Sequence, residues 1–261
     1  MSEVQRLIQV ILPMAGSGLR FQQAGYSTPK PLLSIHGRHM FEVVLRNLVS
    51  PWVKSFTLVS RKEWELSLRT EAISQELGLP ITLIELESPT RGAAETVLVA
   101  AERVDPDLPV VTANSDQYVD APLHGFYQVV ASGAWDGVIL TMKDNDPKWS
   151  YAATDHLGCV SRVEEKAVIS SDATVGIYGF RDGRTMTSAI GRMMDAGDTV
   201  NGEFYIAPAY NFIVADGGRV AIEDLGPINE VMYGMGIPHD YEEFLRSPAS
   251  LRSASTHPDI R

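Results

Sequence analysis

The sequence predicts an α/β protein: a Rossmann-like, mixed but mainly parallel sheet flanked by helices, with a smaller lobe in its second half. Three observations lead there. Residues 7–14 (LIQVILPM) form an almost unbroken apolar run of the length of one buried parallel strand. Strand-like and helix-like segments then alternate about five times up to residue 142. Beyond that point the alternation gives way to shorter, irregular segments.

The elements follow in order. After the first strand comes a Gly/Ser-rich loop, then apolar residues at helical spacing over 40–49. Residues 55–59 read as a strand and 61–77 as a polar helix stopped by Gly78. A strand at 81–86, a helix at 92–104, a strand at 108–113, a helix at 121–132 and a strand at 137–142 complete the alternating part. Two strand-like runs over 150–166, around His156-Leu157-Gly158, suit a hairpin. A further strand is expected at 174–180, helices at 183–196 and around 205–214, a strand at 231–236 and a short helix at 239–245. The Ser/Pro-rich end is expected to fray. The chain therefore reads as one domain over 1–247, with halves of about 1–143 and 144–247, and a flexible tail at 248–261.

The composition excludes several classes. The 261 residues include 22 Lys and Arg against 33 Asp and Glu, a net charge of −11. A nucleic-acid binder needs a basic face, so none is expected. The single cysteine, Cys159, rules out an internal disulfide framework and a cysteine-rich zinc module. Residues 1–10, with acidic Glu3, do not form a secretory signal, and no stretch approaches the ~20 apolar residues of a membrane span. The expectation is a cytoplasmic protein without membrane contact.

In open parallel sheets, ligands bind at the carboxyl ends of the strands. The loop after the first strand, Met14-Ala15-Gly16-Ser17-Gly18, lets backbone N–H groups approach phosphate oxygens closely. Arg20 offers a forked guanidinium and Lys30, in Thr28-Pro29-Lys30-Pro31, a second point charge. No Gly-Lys-Ser/Thr follows and a third glycine is missing, so the loop is neither a Walker A nor a dinucleotide fingerprint. Asp116 ends the fourth strand, where a carboxylate suits Mg²⁺, which prefers one or two carboxylates plus phosphate oxygens. A helix-capping role for Ser115 and Asp116 stays open. In the segment from Asp144 to Tyr151, either Trp149 or Tyr151 is expected to wall off an acceptor, with a packing role about equally open. The six histidines show no ligand spacing, and no hydrolase nucleophile elbow occurs.

The string from Pro13 to Pro31 resembles the signature of the sugar-1-phosphate nucleotidylyltransferases, the enzymes that make nucleotide sugars: Leu-Ala-Ala-Gly-x-Gly-x-Arg, then Pro-Lys-Pro-Leu. The resemblance continues through Asn114-Ser115-Asp116, Val163-Glu164-Glu165-Lys166, Gly176-Ile177-Tyr178, Asn201-Gly202-Glu203-Phe204-Tyr205 and the segment from Gly234 to Asp240. It implies a glycosyltransferase-A-like domain whose first half binds nucleotide and whose second half binds acceptor. It also implies a Mg²⁺-dependent transfer of NMP from an NTP to a phosphorylated acceptor, foremost a sugar 1-phosphate, in an enzyme class that often forms homo-oligomers. By the resemblance, Asp116 binds metal, Lys166 meets the acceptor's phosphate, and Glu165, Gly176 and Glu203 lie at the acceptor. Glu87 and Gly92 sit where the base is read; as an acceptor-only group, Glu87 favours cytosine over thymine. The chain departs from the family at Gly234, where the family has a second metal-binding aspartate. Either Asp116 holds the metal with substrate phosphates and water, or another acid helps, with Glu203 the candidate and Glu223 a weaker one. A glycosyltransferase of similar fold, a cytidylyltransferase for a non-sugar phosphate and a non-catalytic nucleotide-binding subunit remain as alternatives.

Overall fold

A computed structural model of the chain describes residues 6–228 and 230–255. The expectations for residues 1–5 and 256–261 therefore lie outside the described residues.

The first half runs β1 (Ile8–Pro13), α1 (Leu19–Gln23), a small ribbon of β2 (Ser34–Ile35) and β3 (Arg38–His39), and α2 (Met40–Asn47). It continues with β4 (Val53–Arg61), α3 (Ser67–Leu77), β5 (Ile81–Leu86), α4 (Ala93–Ala100), β6 (Val110–Ala113), β7 (Gln117–Val119), α5 (His124–Ser132) and β8 (Gly137–Lys143). The second half holds β9 (Ser150–Thr154), β10 (Val160–Glu165), β11 (Asp172–Phe180), α6 (Gly183–Asp195), α7 (Ala209–Ala215), β12 (Val220–Pro227), β13 (Met232–Gly234), α8 (Pro238–Arg246) and α9 (Pro248–Ala254).

Strands β5, β4, β1 and β6 pair in parallel, with β1 between β4 and β6 and buried at every position. The expected fifth parallel neighbour is displaced. Strand β11, from the second half, inserts antiparallel between β6 and β8. Strand β12 then adds parallel to β8, and the β9–β10 hairpin attaches at the start of β11. Acidic Glu223 and Asp224 break the apolar run of β12, which hid this strand in the sequence. The helix expected from residue 205 begins only at Ala209, because 203–206 forms an extended loop over α4.

Side chains alternate across β1. Ile8, Val10 and Leu12 pack with α2, α3, α5 and α8, whereas Ile11 packs with α4, α6 and α7. That alternation is the period-2 consequence of a strand covered on both faces. No helix among the described residues is long and apolar enough to cross a membrane.

The expectation of a frayed end from residue 247 is overturned up to Ala254. Ser247 accepts a hydrogen bond from the Ser250 N–H, Pro248 occupies the first turn, and α9 follows. Ala249 and Ser250 are fully buried, and the Ser250 hydroxyl meets His36 Nε2 at 2.8 Å. The same Ser-Pro composition that suggested disorder is a helix start once a surface waits to receive it. Removing residues 248–261 is expected to lower the Tm by about 4 °C or more in a thermal melt, the scale of one or two kcal/mol in a chain of this size.

Candidate active site

The carboxyl ends of β1 and β6 open into a cleft of about 640 Å³ that the second half closes from the far side. From the first half it is lined by 13–21, Lys30, Gly92 and 114–117; from the second by 148–150, Glu165, Lys166, 174–176, 203–206, Gly234, Gly236 and Asp240, among others. Of the residues singled out in the sequence, Met14, Ala15, Gly16, Ser17, Gly18, Arg20, Lys30, Gly92, Asp116, Glu165, Lys166, Gly176 and Glu203 all meet here.

The loop after β1 turns at Gly18, which adopts the left-handed φ of 63° at the start of α1. Arg20, two residues on, is exposed at the cleft and makes no ion pair with any described residue. The loop then runs to Pro29, which sets Lys30 in a tight turn. Lys30 Nζ contacts Asp116 Oδ2 at 2.6 Å, with both side chains 22% exposed. One basic residue from the glycine loop and the acid beyond β6 thus share one point.

Gly176 shows why β11 can close against β6. Its φ is 75°, and a Cβ there would stand 2.4 Å from both Asn114 Nδ2 and Gln117 Oε1. The left-handed φ favours glycine, and any larger residue would also have to push these two side-chain amides aside. Gly92 does the same on the opposite wall: with φ of 142°, its Cβ would lie 2.4 Å from the Phe204 carbonyl oxygen and 2.6 Å from its nitrogen. The loop at 203–206 is laced there by bonds from Phe204 N to Arg91 O and from Ala94 N to Phe204 O.

Lys166 follows β10 with φ of 57°, an uncommon conformation for a non-glycine residue and a local strain found mostly at functional sites. Its Nζ reaches the Tyr205 hydroxyl at 2.5 Å and lies 4.4 Å from the centre of that ring. Tyr205 in turn donates to Glu203 Oε2 at 2.8 Å. Burial, then Glu203, push the Tyr205 phenol well above its ordinary value, so it stays protonated. Glu203 therefore orients Tyr205 and, through it, Lys166.

Glu165 is 9% exposed, and its Oε2 accepts from the Ser150 hydroxyl. Burial raises its carboxyl above the usual range; Ser150 and Lys166 oppose that shift, and Glu203 adds to it. Beside it, Thr174 and Tyr178 share a buried hydroxyl pair at 2.9 Å. The floor of the second-half wall is thus a set of hydroxyl-matching groups.

Three expected site residues lie elsewhere. Glu87 is 76% exposed and paired with Lys62 Nζ at 2.5 Å, outside the cleft lining. It ends the edge strand β5, which faces Lys62 after β4 rather than the opening; Pro89, Thr90 and Gly92 reach the cleft instead. Tyr151 is fully buried in the core with its hydroxyl on the Asp146 carbonyl, so it packs rather than walls; Trp149 lines the cleft. Glu223 lies on β12 against Gly125, so it compensates nothing at Gly234. Sequence reading missed Ser150, Thr174, Tyr178 and Lys148. Tyr178 stands within the Gly176-Ile177-Tyr178 motif, and Lys148 and Ser150 within the segment from Asp144 to Tyr151, but neither pattern gives those side chains a role of their own.

The cleft combines a backbone loop with two cations on one wall and a buried acid with a third cation on the other. The sequence profile of the nucleotidyl transferases matches residues 8–196, and the chain belongs to that family. No curated protein matches it by sequence. Among solved structures, it is similar to a nucleoside-diphosphate-sugar pyrophosphorylase from Vibrio cholerae RC9, at 26% identity and a TM-score of 0.76, over 91% of this chain and all of that one. Its fold is also that of the inositol-1-phosphate CTP transferase from T. maritima, at 13% identity and a TM-score of 0.73, over 97% of this chain and all of the other.

Two outcomes test this geometry. Gly92→Ala is expected to destabilise the protein by at least about 2 kcal/mol in urea, since its Cβ meets backbone that cannot yield. Glu165→Gln is expected to raise the Tm at pH 7 by about 2 °C. The sign follows from linkage: the folded carboxyl titrates above its unfolded value, so as pH rises through that interval wild type loses stability that the amide keeps. The gain should vanish below the ordinary carboxylate range, near pH 4. A Tm difference independent of pH would contradict it.

Proposed function

We propose that the protein transfers a nucleoside monophosphate from an NTP to the phosphate of a sugar 1-phosphate, forming an NDP-sugar and pyrophosphate. The observation that carries this reading is the meeting of Arg20, Lys30 and Asp116 on one wall of the cleft with Glu165 and Lys166 on the other. The first group suits a triphosphate, the second a phosphorylated polyol.

An acceptor phosphate oxygen forms the new bond to the α-phosphorus. The bond from that phosphorus to the bridging oxygen breaks, and pyrophosphate leaves with the electron pair. The attacking oxygen already carries charge, so no general base is needed and catalysis rests on positioning and charge neutralisation. The loop from Met14 to Gly18 lies at the triphosphate. Arg20, free of any described ion-pair partner, stabilises charge growing on the α-phosphate and the leaving pyrophosphate, and Lys30 shares that work. Lys166, held by Tyr205 and Glu203, draws in the acceptor's phosphate. Glu165 and Ser150 accept and orient acceptor hydroxyls.

Mg²⁺ fits these residues. Asp116 already holds a cation, the Lys30 ammonium, and Gly236 leaves room beside it, because a Cβ there would stand 3.0 Å from Asp116 Oδ2. Asp116 would hold the ion, which supplies charge neutralisation on the phosphates.

The primary test is a pyrophosphate-release screen of CTP, UTP, TTP and GTP against phosphorylated sugars, with and without Mg²⁺. Release of NDP from a nucleotide sugar, with NTPs ignored, would instead identify a glycosyltransferase. Arg20→Ala is expected to lower kcat by ~10²-fold or more, the scale of losing one transition-state donor. Lys166→Met is expected to raise the KM for the acceptor by ~10-fold or more, the scale of one charge-assisted hydrogen bond, while the KM for the NTP changes little. Equal effects on both KM values would contradict the separate walls.

A further inference from the structure

Gly234 carries no side chain to complement Asp116, Glu203 is engaged with Tyr205, and Glu223 lies outside the cleft. One further carboxylate lines the cleft beside Gly234: Asp240, in the first turn of α8. An ideal Cβ on Gly234 would stand 3.7 Å from Asp240 Oδ2, just as one on Gly236 would stand 3.0 Å from Asp116 Oδ2. The two bare glycines, two residues apart, thus open onto the two carboxylates in turn. The Trp149 indole closes position 234 from another side, where the same Cβ would meet its Cη2 at 2.9 Å. A side chain at 234 would have to displace this ring.

The two carboxylates are treated alike by their surroundings. Lys30 Nζ holds Asp116 Oδ2 at 2.6 Å, and Lys148 Nζ holds Asp240 Oδ2 at 3.0 Å. Lys148 also lies 4.8 Å from the centre of the Trp149 ring and 3.6 Å from Asp146 Oδ2. The other oxygen of Asp240 looks outward, 3.4 Å from His239 Nδ1. Oδ2 is therefore the oxygen placed toward the cleft, and an ammonium rests on it. A lysine is a compact point charge on a flexible stem, so it can move from a carboxylate to a phosphate oxygen when a better cation arrives.

We propose that Asp240 supplies the second carboxylate toward Mg²⁺, from helix α8 rather than from residue 234, and that Lys148 is its stand-in cation, released to phosphate when nucleotide and metal bind. The inference rests on the nucleotidyltransferase reading. It changes which element carries the second ligand: helix α8, which packs on the core, and not the end of β13.

The test is binding rather than turnover. Mn²⁺ is titrated into the full chain with CTP, UTP, TTP or GTP and no acceptor, and the ternary complex is read by water-proton relaxation enhancement. Asp116→Asn is the control and is expected to weaken Mn²⁺ binding by ~10-fold or more. Asp240→Asn is expected to weaken it by ~10-fold; the amide is isosteric and still accepts from Lys148. Lys148→Met, read like the other variants at saturating nucleotide so that a lost phosphate contact does not enter, removes the competing ammonium and is expected to leave Mn²⁺ affinity unchanged or to raise it. The inference is overturned if Asp240→Asn stays within twofold of wild type while Asp116→Asn loses binding. It is equally overturned if Lys148→Met weakens binding as much as Asp240→Asn does, since Asp240 would then act only by placing Lys148. A loss on Glu243→Gln would move the ion to the exposed His239–Asp240–Glu243 face of α8 and also overturn it. Unchanged binding in Asp116→Asn would instead sink the nucleotidyltransferase reading itself.

Discussion

The contact between Lys30 and Asp116 is the point on which the site turns. It ties a loop of more than a dozen residues after β1 to the end of the neighbouring strand β6. Its net contribution to stability is modest, because a half-withdrawn ion pair loses hydration nearly as fast as it gains Coulomb energy. Its value lies in poise. The contact keeps one cation and one carboxylate side by side in the cleft, at the mouth of the glycine loop.

Everything else in the cleft is built around the ends of β1 and β6. The second half reaches those ends by inserting β11 antiparallel beside β6, which needs a glycine at 176 where Asn114 and Gln117 crowd the backbone. It reaches the other side by laying 203–206 over Gly92. Two glycines on opposite walls therefore set the width of the cleft. Gly92 is demanded by the close approach of the Phe204 backbone, Gly176 by its left-handed φ and by the side-chain amides of Asn114 and Gln117.

The second-half wall of the cleft is held by indirect means. Lys166 is placed by a strained backbone, an aromatic ring and a phenol that leans on Glu203. The segment from Asp144 to Ser150 is braced by its own acids: Asp144 accepts from the Trp149 indole at 2.6 Å, and Asp146 caps the turn at Lys148. Its acidic pattern is scaffolding for Trp149 and Lys148, which do face the cleft.

Much of this was legible in the chain. A buried apolar strand followed by Gly-x-Gly, Arg and Pro-Lys-Pro announces locally a glycine loop with two cations, and these residues do line one cleft. The alternation of strands and helices likewise follows from period and turn signals. What the sequence left open is whatever depends on distant partners. Glu87 had the right chemistry at a strand end, but the edge position of β5 turned it to Lys62 and solvent. Tyr151 belonged to the right segment, but the pleat sent it into the core while its neighbour Ser150 kept the cleft. The Ser/Pro-rich end up to Ala254 folded because α2, His36 and Asp120 offered it a surface. Local codes determine which groups are present; packing alone decides which of them share a cavity, since that choice is made by side chains from different elements, 86 residues apart for Lys30 and Asp116.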